Sequence, residues 1–450
     1  MLSVTCESYF LLSIKNEDFE VNSKAPSIQK ADVAVIGAGS TGSAVALHCA
    51  RRHLDVICVD RRPIDQSGAR WSNNIPAWNF DAAHLARPRQ PELIGGSTPV
   101  HMLAGWGPQR LILPDHDMLE VDMPRLVARL QERAKSLGAR FVGEVDVEHF
   151  DGEVLHTSQG EIRARWVIDA SGLGGAGVMD LPQVDRKDIC SAAQQVRRIT
   201  DMDRARQFFA DQGVPWGHAL NYTGVAGGYS VIILRAHGEH LSFITGSIPG
   251  LGHPSGLKLL RDFVADHDDW IGEEISGGSA PIPLRRPVGR LAQGRAAAIG
   301  DAACQVFSAH GSGVGAGLIA ARILAEALAA GEGVQGYAYR WHRQYGGLFG
   351  AYDLFRRYST DLTPRHLERL MDSGLLHPEL ATYGLRQKAP IPSSPAIFDP
   401  KIVIKAPDLL LSMGGVLGRM ARAALLYRRY PKDPKDLPRW SERAEDLFQY

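Results

Sequence analysis

The strongest chemical signal in the sequence is a glycine-rich turn near residue 40. An apolar stretch at residues 32–36 leads into Gly-Ala-Gly-Ser-Thr-Gly, and the next apolar stretch, 56–59, ends in an acidic residue. In such a turn the first glycine permits a tight bend, the second lets the backbone approach a pyrophosphate, and the third lets the helix pack on the strand. The helix N-terminus adds positive partial charge, and the acid can accept ribose hydroxyls. The sequence therefore predicts a dinucleotide site formed by Gly37, Gly39, Thr41, Gly42, Asp60 and Arg61.

Two later turns carry further candidates. The apolar stretch 166–168 ends in Asp169-Ala-Ser-Gly172, and the stretch 296–299 ends in Gly300-Asp301-Ala-Ala. A second glycine run, Gly311-Ser-Gly313-Val314-Gly, follows and opens a helical pattern. Alone, Asp301 is as well explained by a helix N-cap as by ligand binding.

His310, just before that second glycine run, is the candidate acid or base, because an unperturbed imidazole titrates near pKa 6.5. The alternative is that it orients the loop through hydrogen bonds.

The three turns together resemble those of the flavoprotein superfamily that contains para-hydroxybenzoate hydroxylase, geranylgeranyl reductases and flavin-dependent halogenases, over residues 30–350. The resemblance implies bound FAD. Asp301 would hydrogen-bond the ribityl chain, Gly313 and Val314 would face the pyrimidine end of the isoalloxazine, and Asp169 and Gly172 would complete the site. Only the first turn has the full strand, turn, helix and acid context, so NAD(P)H is expected as a transient reductant without a domain of its own.

The elements that must position these residues predict an α/β fold. We expect a Rossmann-type FAD-binding domain, an inserted mixed β-sheet substrate domain and a helical C-terminal region. Residues 68–113 lack periodicity and are expected to form an irregular excursion over the pocket. Residues 229–234 and 240–245 predict a hairpin that turns at His237-Gly238. The predicted segments are a flexible extension at 1–29, the FAD-binding domain at 30–186 and 285–350, the substrate domain at 187–284 and the helical region at 351–450.

Further sequence patterns bear on which branch of the superfamily the chain resembles. Halogenases carry a Trp-x-Trp-x-Ile-Pro signature, whereas the corresponding strand here reads Tyr-Ser-Val-Ile-Ile-Leu from residue 229, and no lysine occurs from 61 to 130. The first expectation is a monooxygenase that hydroxylates a bulky apolar or aromatic substrate, including a residue of a partner polypeptide. The alternatives are a reductase of prenyl-lipid double bonds, which fits the Gly-Asp-Ala-Ala spacing, a maturation factor for another protein, and a flavin-binding protein without turnover.

The composition limits the classes of partner that the protein is expected to bind. Fifty basic residues balance fifty acidic ones, so no basic field attracts nucleic acid. The five cysteines are scattered without metal-ligand spacing, which predicts reduced thiols, no metal site and a cytoplasmic location. No apolar run is long enough for a transmembrane segment, but the leucine- and arginine-rich stretch 408–430 could contact a membrane peripherally or pack into the core.

Overall fold

The computed structural model describes residues 28–114, 116–390 and 405–449. Most of the predicted extension, residues 1–27, lies outside this part, and the first strand begins at Gln29. The strands are β1 Gln29–Ile36, β2 Val56–Val59, β3 Ser72–Pro76, β4 Leu93–Gly95, β5 Val100–Ala104, β6 Arg110–Leu113, β7 Met118–Asp122, β8 Arg140–Val142, β9 Val147–Phe150, β10 Val154–Thr157, β11 Gly160–Asp169, β12 Ile189–Ile199, β13 Ala219–Thr223, β14 Ser230–His237, β15 His240–Ser247, β16 Ile271–Pro283, β17 Ala292–Gln293 and β18 Ala296–Ala298. The helices are α1 Ser40–Ala50, α2 Ala77–Ala82, α3 Met123–Lys135, α4 Met202–Asp211, α5 Gly256–Ala265, α6 Val314–Ala329, α7 Gly333–Trp341, α8 Gly347–Thr360, α9 Pro364–Ser373, α10 Pro378–Leu385, α11 Pro407–Arg428 and α12 Leu437–Phe448.

The first sheet has the order β17-β18-β11-β1-β2-β8, with β10 and β9 attached beside β11. The pairs β18-β11, β11-β1, β1-β2 and β2-β8 are parallel. Its central strands are apolar on both faces because helices pack on it; β2, for example, is buried along its whole length. The predicted Rossmann-type architecture, with a mixed second sheet and a helical C-terminal region, is confirmed.

The second sheet has the order β16-β12-β15-β14-β13-β5-β6. The predicted hairpin is confirmed as β14 and β15, whose last pair is His237 with His240. Successive side chains on a strand point to opposite faces. One face of this sheet, including Ile232 and Leu234, packs in a buried cluster with residues of α4 and α5, which leaves the other face free to line a cavity.

The expectation of an irregular excursion at 68–113 is wrong. This stretch contains β3 to β6 and α2, and it buries Ile75, Phe80 and Leu103 completely. Its strands are three to five residues long, too short for an alternating pattern to stand out in the sequence. Because β5 pairs with β13, part of the predicted FAD-binding segment 30–186 belongs to the second sheet.

Among the C-terminal helices, α7 packs on α6 and α11 packs on α8. A π-helical segment, His342–Gly346, joins α7 to α8. The leucine- and arginine-rich stretch 408–430 forms α11, on which Leu411, Leu417 and Leu425 are 80%, 51% and 55% exposed. Among the described helices, α11 is the one whose length and composition would allow it to cross a membrane, a criterion that says nothing about whether it does.

A buried ion cluster connects α8 to the loop before the second sheet. The Arg356 guanidinium lies 2.7 Å from Asp188 and 2.9 Å from Asp353, and Arg357 contacts both carboxylates at 3.2 and 3.3 Å. Arg356, Asp353 and Asp188 are all almost fully buried. Removing one partner from such a cluster leaves an uncompensated buried charge.

We therefore expect Asp353→Ala to lower the free energy of unfolding by roughly 3–5 kcal/mol. The matched control is Asp268→Ala, because Asp268 is exposed and has no side-chain partner in the described part of the chain. Chemical denaturation of both variants checks this. Equal stability of the two would show that the cluster does not hold α8 in place.

Candidate functional site

Four predicted site residues meet at one edge of the first sheet. Gly37 follows β1, Asp60 follows β2, Asp169 ends β11, and Gly300 lies just beyond β18. These strands are neighbours in the order β18-β11-β1-β2 and run parallel, so their carboxyl ends lie side by side. In open α/β sheets this edge is where nucleotides bind.

The glycines of the first turn are required by close backbone contacts. Gly37 has φ +97°, and a Cβ on it would lie 2.5 Å from the carbonyl oxygen of Ala170. A Cβ on Gly42 would lie 1.8 Å from the carbonyl oxygen of Gly37. Gly39 faces the backbone of Gly68, whose Cα would be 3.3 Å from an added Cβ. The turn thus has the shape that a pyrophosphate-binding loop needs.

The central peptide of this turn is fixed from both sides. The Ala38 N–H donates to Asp60 Oδ2 at 2.8 Å. The Ala38 carbonyl accepts from the hydroxyls of Ser43 and Ser67, both at 2.8 Å, and from Gln131 Nε2 at 3.0 Å. Ser67 and Gln131 were not predicted, since no local pattern relates them to the turn. Asp60 Oδ1 accepts from the Arg62 N–H, and each carboxylate oxygen keeps a further lone pair for a ribose hydroxyl.

The second glycine turn lies beside the first. A Cβ on Gly300 would be 3.0 Å from Thr41 Oγ1, and one on Gly317 would be 2.1 Å from the same oxygen. The Thr41 side chain therefore packs between the Gly300 turn and α6. Both α1 and α6 begin without a side-chain cap, so the unpaired N–H groups of their first turns are available to a ligand.

Asp301 is the most informative residue of the second turn. Its Oδ1 lies 2.8 Å from the position of a Cβ on Gly313, at the start of α6. Its carboxylate makes no hydrogen bond or ion pair with any residue in the described ranges, so it does not cap α6. Burial raises the pKa of this carboxyl from 3.8 to about 6. A partly buried acid without a partner is suited to ligand hydroxyls.

The structure gives less direct support for a cofactor role of Asp169, Gly172 and Arg61. The Asp169 carboxylate accepts from the N–H and hydroxyl of Ser171 and from the Ala176 N–H. It therefore closes its own loop, in which Gly172 takes φ +93°. Arg61 is exposed next to Asp60. The role of these three residues in cofactor binding stays a prediction.

His310 contacts a segment that the sequence did not connect with the site. Gln387, in a left-handed conformation, lies 3.3 Å from His310 Nε2 and accepts from Asn79 Nδ2 at 3.2 Å. On either side of it, the Trp78 indole donates to the Arg386 carbonyl and the Tyr352 hydroxyl donates to the Lys388 carbonyl. We call residues 386–388 the strap. Burial lowers the pKa of His310 to about 4, so its imidazole is neutral near pH 7.

The residues of the two turns fit an FAD molecule. The first turn offers a pyrophosphate loop and an acid, and the second offers an unpartnered carboxylate and an uncapped helix. A family model described as FAD dependent oxidoreductase matches residues 32–89. The chain carries an FAD-dependent oxidoreductase domain. The oxidoreductase is also 23% identical to the digeranylgeranylglycerophospholipid reductase of Sulfolobus acidocaldarius, over 93% of this chain and 97% of the relative.

Solved structures show the same fold. A geranylgeranyl bacteriochlorophyll reductase-like protein from Thermoplasma acidophilum aligns with a TM-score of 0.67 at 16% identity, over 87% of the oxidoreductase and 100% of that chain. A flavin-dependent brominase aligns with a TM-score of 0.58 at 14% identity, over 86% of the oxidoreductase and 100% of its own length. Together with the family model and the Sulfolobus relative, these shared folds confirm the predicted resemblance to the flavoprotein superfamily.

The raised pKa of Asp301 predicts a pH-dependent affinity for FAD. Below about pH 6 the carboxyl is protonated in the flavin-free protein, whereas ribityl hydroxyls bind best to the ionised form. Binding then releases a proton, so affinity should rise about tenfold between pH 5 and pH 7 and level off above about pH 7.

In Asp301→Asn the affinity at pH 7 should be about ten- to a hundredfold weaker and independent of pH over this range. Titration of FAD into deflavinated protein, monitored by flavin fluorescence, measures both. Parallel pH curves for the two proteins would mean that Asp301 does not contact the cofactor.

Proposed function

We propose that this protein is a flavin-dependent reductase that adds hydrogen across carbon-carbon double bonds of a prenyl lipid. The observation that carries the proposal is the extent of the similarity to digeranylgeranylglycerophospholipid reductase, which spans nearly the whole of both chains. A match limited to the nucleotide turn would have said nothing about substrate. Hydroxylation, the first of the reactions expected from the sequence, gains no support from this relative.

The chain supplies binding and orientation in this reaction. Bound FAD, once reduced, would supply the hydride and return to its oxidised form. Gly37, Gly39 and Asp60 would hold the pyrophosphate and the adenosine ribose, and Asp301 would hold the ribityl chain. The uncapped N-terminus of α6 offers positive partial charge, which favours an anionic reduced flavin.

Reduction of an alkene also needs a proton, and His310 remains the predicted donor. Since burial keeps its imidazole neutral near pH 7, His310 would first take up a proton from solvent and then donate it as the imidazolium. The competing role, holding the strap through Gln387, is supported by the 3.3 Å contact between the two side chains. We also propose NAD(P)H as the transient source of electrons and the cytoplasm as the location.

The decisive experiment is turnover without oxygen. The yellow holoenzyme, reduced with dithionite under argon, should add two hydrogens per double bond to a digeranylgeranylglyceryl phospholipid, detected by mass spectrometry. The control is Gly39→Val, whose side chain would crowd Gly68 and fill the space that the pyrophosphate needs, and which should therefore lack FAD and activity. A product that forms only in air and carries added oxygen would instead establish hydroxylation.

A lipid substrate gives α11 a role in the proposal. Leu411, Leu417 and Leu425 project from it, and the exposed Arg422 and Arg428 add positive charge, a composition suited to the surface of an anionic membrane.

The triple variant Leu411→Ser, Leu417→Ser and Leu425→Ser should co-sediment several-fold less with phosphatidylglycerol vesicles than the unchanged protein. The control is Ile275→Ser, which changes an exposed apolar residue of the second sheet. Unchanged sedimentation of the triple variant would remove α11 from the membrane contact.

A further inference from the structure

A groove of about 290 Å³ lies between the small sheet β3-β7-β4 and the free face of the second sheet. We call it the polar groove, because its lining includes Arg70, Ser72, Glu120, Gln194 and Arg235. None of these residues belongs to the candidate flavin site. Both sheets contribute side chains, so the groove exists only in the assembled fold.

The floor of the polar groove is a neutral hydrogen-bonded chain. Arg235 Nη1 donates to Glu120 Oε2 at 2.7 Å, and Glu120 Oε1 accepts from the Ser72 hydroxyl at 3.2 Å. The Ser72 hydroxyl in turn accepts from Gln194 Nε2 at 2.8 Å. These bonds tie β14 to β7 and β12 to β3, and they compensate the charges of Arg235 and Glu120.

The basic groups at the rim are not compensated in this way. Arg70, His237 and His240 line the groove, are exposed, and have no hydrogen-bond or ion-pair partner among the residues that the structure describes. The acid at the rim, Asp122, is already occupied by the N–H and the guanidinium of Arg125. The rim therefore presents unpaired positive charge and imidazole donors, which is the chemistry that binds phosphate.

Apolar side chains lie along β14 between the polar groove and the glycine run at the start of α6. Because side chains alternate along a strand, Val231, Ile233 and Arg235 lie on the same face of β14, and Tyr229 directly precedes this strand. Val231 and Ile233 are partly exposed, as is Ile244, the partner of Ile233 on β15. We call Val231, Ile233 and Ile244 the apolar lane.

The two ends of the lane differ in chemistry. At one end the Tyr229 hydroxyl lies 3.4 Å from the position of a Cβ on Gly311, in the glycine run that precedes α6. At the other end is Arg235, in the polar groove. Six residue steps along the chain separate these ends, a distance of about 20 Å.

We propose that the polar groove binds the phosphate headgroup of the substrate and that the apolar lane carries its prenyl chain toward the flavin. This inference rests on the proposed function and adds the place of the headgroup and the direction of the substrate, which enters chain first. Arg70 and the rim imidazoles hold the phosphate, and the lane excludes a polar chain.

Binding to the oxidised holoenzyme tests the inference without turnover. By titration calorimetry, farnesyl monophosphate should bind about tenfold more tightly than farnesol, because only the phosphate ester gains charge-assisted hydrogen bonds. Arg70→Gln, and separately the double variant His237→Gln with His240→Gln, should reduce this preference and leave the affinity for farnesol unchanged. Arg261→Gln is the control, since Arg261 is exposed on α5, which packs on the opposite face of the sheet.

The apolar lane is tested by Ile233→Asn, which should weaken both ligands about equally, with Ile275→Asn as its control. The flavin spectrum and melting curve of each variant verify folding. Equal affinities for farnesyl monophosphate and farnesol, or a preference that survives in Arg70→Gln, would overturn the inference. Inorganic phosphate that binds alone as tightly as the ester would overturn it too, by identifying a site for free phosphate.

The outcomes separate this inference from the proposed function. Anaerobic reduction of prenyl chains with no dependence of binding on Arg70 would leave the function standing and refute the headgroup site. An Arg70-dependent phosphate preference without any reduction would support the site and refute the reductase.

Discussion

The site depends on how closely α1 and α6 approach the edge of the first sheet. Thr41 Oγ1 occupies the space that a side chain on Gly300 or Gly317 would need, and Gly42 lies against the Gly37 carbonyl. Two helix N-termini can therefore open at one edge, each directing unpaired N–H groups outward. Larger residues at these glycines would push the two helices apart. The adenosine end and the isoalloxazine end of FAD could then no longer bind to one continuous surface.

In the second sheet, the alternation of side chains along a strand separates a buried face from a partly exposed one. On β14, Ile232 and Leu234 are buried against the α4 and α5 side, whereas Val231 and Ile233 remain partly exposed on the other. Apolar residues on both faces of a strand predict burial on both faces. Partial exposure of one apolar face, next to a hydrogen-bonded polar groove, is what a cavity for an amphiphile requires. The same strand thus belongs to the core on one side and to the proposed substrate path on the other.

The sequence predicted those features that are local. The glycine turn with its acid, and the hairpin of β14 and β15, each lie within about 30 residues and have strong turn signals. The strap was not predictable, because Asn79, His310 and Gln387 meet only in the folded chain. The same holds for Ser67 and Gln131 at the Ala38 carbonyl. The place of β5 in the second sheet depends on its pairing with β13, more than a hundred residues away, and short strands carry little periodicity of their own.

Asp301 is the residue of the site that departs most clearly from ordinary folding rules. Its carboxyl is partly buried and has no partner in the described part of the chain, although desolvation without a partner raises its pKa to about 6 and costs stability. The missing side-chain caps of α1 and α6 are less distinctive, because α2, α7, α8, α11 and α12 also begin without one, whereas α3, α4, α5, α9 and α10 are capped. A chain selected only for stability would pair this acid. Cofactor binding would pair it and would stabilise the folded state by mass action. The local cost of the unpaired carboxyl is therefore best understood as the counterpart of FAD binding.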